Sequence, residues 1–124
     1  MSSGQWQDEI DRIASRARIT GWVIRFDPAL EPPDEAESVI DINEQDRTAR
    51  IGIAKSFLDL SEDDRKLYLA HEIAHLLFHP ADMFALQVRA ALRSKEAQRL
   101  IDAVYEDVNE LLAWDIAKIL MGVA

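Results

Sequence analysis

The stretch "LSEDDRKLYLAHEIAHLLFHP", residues 60–80, constrains the fold more than any other part of the chain. Ser61 is followed three residues later by Asp64, a capping-box pattern with Asp in the Glu place, and the acids crowded into this first turn are favoured by the helix dipole. A helix is predicted over 61–79, beginning at about Glu62 and stopped by Pro80. Its second half, "LAHEIAHLLF", is apolar on nearly every side, so neighbours must cover it all round and it must be central. With 124 residues, 48% of them hydrophobic, the chain can bury one core but not two. A single domain over 1–124, built around this helix, is expected.

The flanking segments supply the cover. Trp6, Ile10, Ile13, Ala14 and Ala17 recur at helical spacing and predict an N-terminal helix within 1–18. Region 20–55 changes to a strand period: Trp22, Ile24 and Phe26 alternate with Val23, Arg25 and Asp27 up to Pro28. After the proline-rich acidic loop "PALEPPDEAE", the runs "SVIDI" and "TARIGIAK" read as a hairpin. Helices are predicted again over 82–122, a short one and then a long one capped by Ser94 and closed by Gly122. The long helix has an expected core stripe of Leu100, Ile101, Val104, Val108, Leu111, Leu112, Ile116, Ile119 and Leu120. The fold class is therefore α+β, a small antiparallel sheet of about three strands packed against helices.

Charge and composition exclude several functions. Fourteen basic against twenty-three acidic residues give a net charge of −9, leaving no basic surplus for nucleic-acid phosphates. No apolar run is long enough for a membrane helix, and the N-terminus lacks the pattern of a signal peptide, so a cytoplasmic protein is expected. There is no cysteine; any metal must be held by His, Asp or Glu.

The motif that suggests chemistry is HEIAH, residues 71–75. Residues four apart on a helix share a face, so the imidazoles of His71 and His75 can converge on one ion with Glu72 beside them. Zinc with three protein ligands keeps a position for water, acidifies it and polarises a scissile carbonyl, and Glu72 has the place of the general base. The motif arises by chance in a chain this size only roughly once in a few hundred sequences. Burying two imidazoles and a carboxylate unpartnered is also costly, whereas a metal satisfies them. His79 continues the spacing but stands roughly 12 Å along the helix from His71, and reads as a helix C-terminal residue facing the dipole. A third ligand must come from elsewhere, and the long last helix offers Asp102, Glu106, Asp107, Glu110 and Asp115. The residues alone do not choose among them.

The segment "IGIAKSFLDLSEDDRKLYLAHEIAHLLFHP" resembles the active-site region of the ImmA/IrrE family of zincin-like metallopeptidases, and a weaker similarity extends to about residue 121. In that family a glutamate three residues before an Ala/Val–Asn/Asp pair, with an alanine seven residues after the glutamate, supplies the third ligand. Laid onto "YEDVNELLAWDIAKILM", the resemblance assigns this role to Glu106, with Ala113 as the alanine; Glu110 is the second choice and Asp107 a third. It further implies a zincin-like fold, one Zn2+ per chain, and a separate protein substrate such as a helix-turn-helix transcriptional repressor.

A zincin-like sheet holds extended substrate by strand addition, and "TARIGIA" is the expected edge. Tyr68 and Tyr105 are candidates to donate a hydrogen bond to the oxyanion. The expected function is a zinc metalloendopeptidase of narrow specificity. The alternative is a non-catalytic acidic regulatory module with a structural zinc; an intact Glu72 beside the site weighs against it.

Overall fold

A computed structural model describes residues 2–122; residues 1, 123 and 124 of the expected domain lie outside the described residues. Helix α1 (Ser3–Arg16) is followed by strands β1 (Val23–Phe26), β2 (Ser38–Asn43) and β3 (Thr48–Ile53), a 3-10 turn at Lys55–Asp59, and helices α2 (Glu62–Leu77), α3 (His79–Ala91) and α4 (Lys95–Leu120). The architecture is α+β, as the change of period along the chain requires. Among the described residues no helix is long and apolar enough to cross a membrane.

The sheet is mixed rather than antiparallel. β2 and β3 form the expected hairpin, but β1 pairs in parallel with β3, giving the order β1-β3-β2. "TARIGIA" is therefore the central strand, and β1 and β2 are the edges. The cause lies in the proline-rich loop, which carries the chain from one side of β3 to the other and passes over Gly52. A Cβ on Gly52 would stand 2.1 Å from the Leu30 carbonyl oxygen, so only glycine leaves room for the crossing. The inner face of the sheet carries Ile24, Ala49 and Ile51, all buried, and Ser38 at the start of β2.

Against that face lie Trp6, Ile10 and Ile13 of α1 and the second half of α2, where Leu69 to Ala74 and Leu76 are buried. The apolar circumference of α2 is thus covered by β2, α1 and α4 together. Ser61 accepts a hydrogen bond from the Asp64 amide at 3.1 Å, the half of the capping box that needs no long side chain. Pro80 does not end α2. The helix stops at Leu77 with Phe78 as its cap, and Pro80 sits in the first turn of α3, where its missing N–H would have had no partner.

Helix α4 meets α2, its main partner, through a narrow face whose only fully buried residues are Ala113 and Ala117. Two alanines one turn apart let the helix backbones approach closely. The expected apolar stripe is largely not the packed face: Leu100, Val104, Val108, Leu111, Leu112 and Ile119 are exposed, Leu111 at 67% and Ile119 at 73%. A helix buries the face its neighbour reaches, and here the alanines, whose methyl groups are too small to hold the helices apart, set that face.

Candidate metal centre

His71 and Glu72 are buried in the middle of α2, and His75 is half-buried one turn on. Their ring nitrogens and carboxylate offer ligand atoms that all lie within 4.8 Å of one another, a group able to hold a metal ion. The imidazole rings of His71 and His75 stand 4.6 Å apart, one at edge to the other.

The third element of the cluster comes from α4. One oxygen of Glu110 lies 3.2 Å from His71 Nε2 and the other 3.0 Å from His75 Nε2. Glu110, the second choice for the third ligand, is thus the acid of α4 that meets both imidazoles, and Glu106, the first choice, is not. Glu106 is exposed, makes no ion pair with either imidazole, and lies on the wall of a neighbouring cavity between α3 and α4. Asp107 and Asp115 are exposed as well, and Asp102 is held by Arg89 at 2.8 Å. The register follows from packing: Ala113 and Ala117 are buried towards α2, which brings the residue one turn earlier, Glu110, beside its histidines.

The donor set fits a cation. A neutral imidazole has one N–H and one lone pair. If His71 turns its N–H to Glu110, its buried Nδ1 is left without a hydrogen-bond partner and faces another acceptor, Glu72 Oε1, at 3.6 Å. A cation held by His71, His75 and Glu110 would remove the conflict, because both Nε2 atoms would then present lone pairs and His71 Nδ1 would carry its proton towards Glu72.

Two neighbours complete the surroundings. Ser38 Oγ donates to Glu72 Oε1 at 2.9 Å, a buried bond that fixes the carboxylate from the start of β2. Trp114, one turn after Glu110, stacks on the His71 ring at 4.0 Å and 14°. Sequence reading missed both. Trp114 was detectable as a residue at i+4 from a candidate ligand; nothing local singles out Ser38, because its contact depends on β2 being the edge beside α2.

The remaining candidates lie apart. Tyr68 packs its ring at edge against Phe57 and Trp114. The Tyr105 hydroxyl donates to Asp82 at 2.6 Å across the cavity, and burial first, then the Asp82 hydrogen bond, pushes its pKa up to about 12. His79 is the first residue of α3, with Nε2 3.4 Å from Glu44 and its ring at edge to Trp22, outside the cluster.

No protein-family model matches the chain, and searches of curated proteins and of solved structures give no significant match.

Proposed function

We propose that the chain is a zinc-dependent metallopeptidase with a zincin-like active site. His71, His75 and Glu110 hold the ion, and Glu72 is the general base. The observation that carries this reading is the closure of Glu110 from α4 onto both imidazoles of HEIAH. When bound, the ion acidifies a water and polarises the scissile carbonyl.

The protein's own groups do the rest. Glu72 has Oε1 fixed by Ser38, so Oε2 is the oxygen that takes a proton from the attacking water and returns it to the leaving amine. Trp114 covers one face of His71 and holds the ring in plane for ligation. β2 is a free edge beside α2, suited to hold an extended substrate by main-chain pairing.

The ImmA/IrrE resemblance supports the same assignment, and more closely once the glutamate is Glu110. Ala113 then stands three residues after it and Ala117 seven, with Trp114 where the family has a polar residue. The substrate that the resemblance implies is a separate regulatory protein such as a helix-turn-helix repressor.

The test is cleavage of a candidate repressor by wild type and by Glu72→Gln, with metal content measured on both. Cleavage abolished in Glu72→Gln while zinc is retained supports the peptidase. Zinc binding without any Glu72-dependent cleavage makes the ion structural and the protein a binding module.

A further inference from the structure

A cavity of about 700 Å3 opens between α3 and α4 and reaches His75 and Glu110 at one end. It lies within the size range of sites that enclose a ligand. Its walls combine two kinds of surface. Leu86 and Ile101 are apolar, whereas Asp82 and Glu106 carry carboxylates.

The charges do not balance. Arg89 is the one basic side chain of the lining other than His75, and its Nε is bound to both oxygens of Asp102 at 2.8 and 2.9 Å. That pairing leaves Asp82 and Glu106 without a cationic partner among the described residues. Asp82 is also fixed in place. Tyr105 Oη and Asn109 Nδ2 both donate to its Oδ1, which leaves Oδ2 to accept from a further donor. Asn109 Oδ1 is a buried acceptor with no donor. An acceptor-rich cavity with aliphatic walls suits a long side chain that ends in several N–H donors, and repels an acidic one.

We propose that this cavity is the specificity subsite of the peptidase and receives an arginine or lysine side chain of the polypeptide substrate beside the bond held at the His71, His75 and Glu110 centre. The aliphatic stem lies on Leu86 and Ile101, and the cationic head is taken by Asp82 and Glu106. The subsite rests on the peptidase reading for its role, and on the cavity's own residues for its charge preference.

Two measurements test it. The first is binding, followed by fluorescence anisotropy of dye-labelled alanine-based pentapeptides with Arg, Leu or Glu at the centre, to zinc-loaded Glu72→Gln protein. The Arg peptide is expected to bind more tightly than the Glu peptide by at least about tenfold, the low end of what hydrogen bonds to charged groups contribute. Adding Glu106→Lys or Asp82→Asn to that background should reduce the ratio to about threefold or less. Glu106 is exposed and Asp82→Asn is nearly isosteric, so a folding failure of one variant leaves the other to decide. The second measurement is cleavage of a mixed peptide library by wild-type protein, with products read by mass spectrometry, where Arg and Lys should be enriched at one position flanking the cut bonds. Cleavage with no charge preference overturns the subsite and leaves the peptidase standing. Charge-selective binding without cleavage of any peptide overturns the peptidase and supports the cation site. Equal affinity for the three peptides, or a preference unmoved by both variants, overturns the subsite.

Discussion

Replacing Ala113 by leucine tests whether helix packing sets the geometry of the metal centre. Ala113 is fully buried at the contact of α4 with α2, three residues after Glu110. Three added carbons have no space there, and overpacking of this kind costs about 1–3 kcal/mol. For a domain of this length each kcal/mol lowers Tm by about 3–5 °C, so a fall of about 8 °C is expected. The second consequence is specific to the site. Separating the helices withdraws Glu110 from contacts of 3.0 and 3.2 Å, and zinc affinity should fall at least about tenfold, as it does when a ligand loses its support. Thermal denaturation and zinc titration against a chromophoric chelator read the two effects separately. Leu111→Ala, two residues away on the same helix but 67% exposed, is the control and should change stability by no more than about 0.5 kcal/mol. Wild-type Tm and zinc affinity in Ala113→Leu would show that the alanines do not place Glu110.

The other predictions concern single contacts. Trp114→Ala removes the stack on His71 and the edge contact with Tyr68, at an expected cost of about 2 kcal/mol in chemical denaturation; Trp114→Phe should recover part of it. Gly52→Ala puts a methyl group 2.1 Å from the Leu30 carbonyl oxygen, and a loss of at least about 3 kcal/mol or failure to fold is expected, whereas unchanged stability would mean that the crossing loop is free to lift. With Tyr68→Phe leaving one tyrosine, phenolate absorbance should titrate at about 12 for Tyr105, and Asp82→Asn should lower that midpoint without restoring the ordinary value, because burial is the larger cause. The Tyr105 pKa is raised in the folded state, so its contribution to stability is intact below the unfolded value of about 10 and is lost as pH rises through about 12.

Local signals in the sequence were strong where one segment determines its own structure. Ser61, Ser94 and Gly122 marked helix ends that the structure keeps, and the all-round apolar character of "LAHEIAHLLF" placed α2 at the centre with His71 and Glu72 buried in it. Tertiary partners were harder to read. Alternation in "TARIGIA" identifies a strand but not its neighbours, and the parallel pairing of β1 depends on a loop crossing at Gly52. Pro80 can end one helix or begin another, and the residues up to Leu77 do not decide which. On α4, hydrophobicity pointed to the wide Leu and Val stripe, yet the packed face is the pair Ala113 and Ala117. That same pair, three and seven residues after Glu110, sets the packing register that brings Glu110 rather than Glu106 to the imidazoles; it is visible only when alanine is read as a close-approach residue rather than as weak hydrophobicity.

The most direct measurement is zinc content by elemental analysis of protein purified without chelator or His-tag, comparing wild type with His75→Ala, Glu110→Ala and Glu106→Ala. About one zinc per chain is expected in wild type and in Glu106→Ala, with a clear loss in His75→Ala and Glu110→Ala. Loss in Glu106→Ala with retention in Glu110→Ala would make Glu106 the ligand, and no zinc in the wild type even after zinc is added would mean that HEIAH holds no metal.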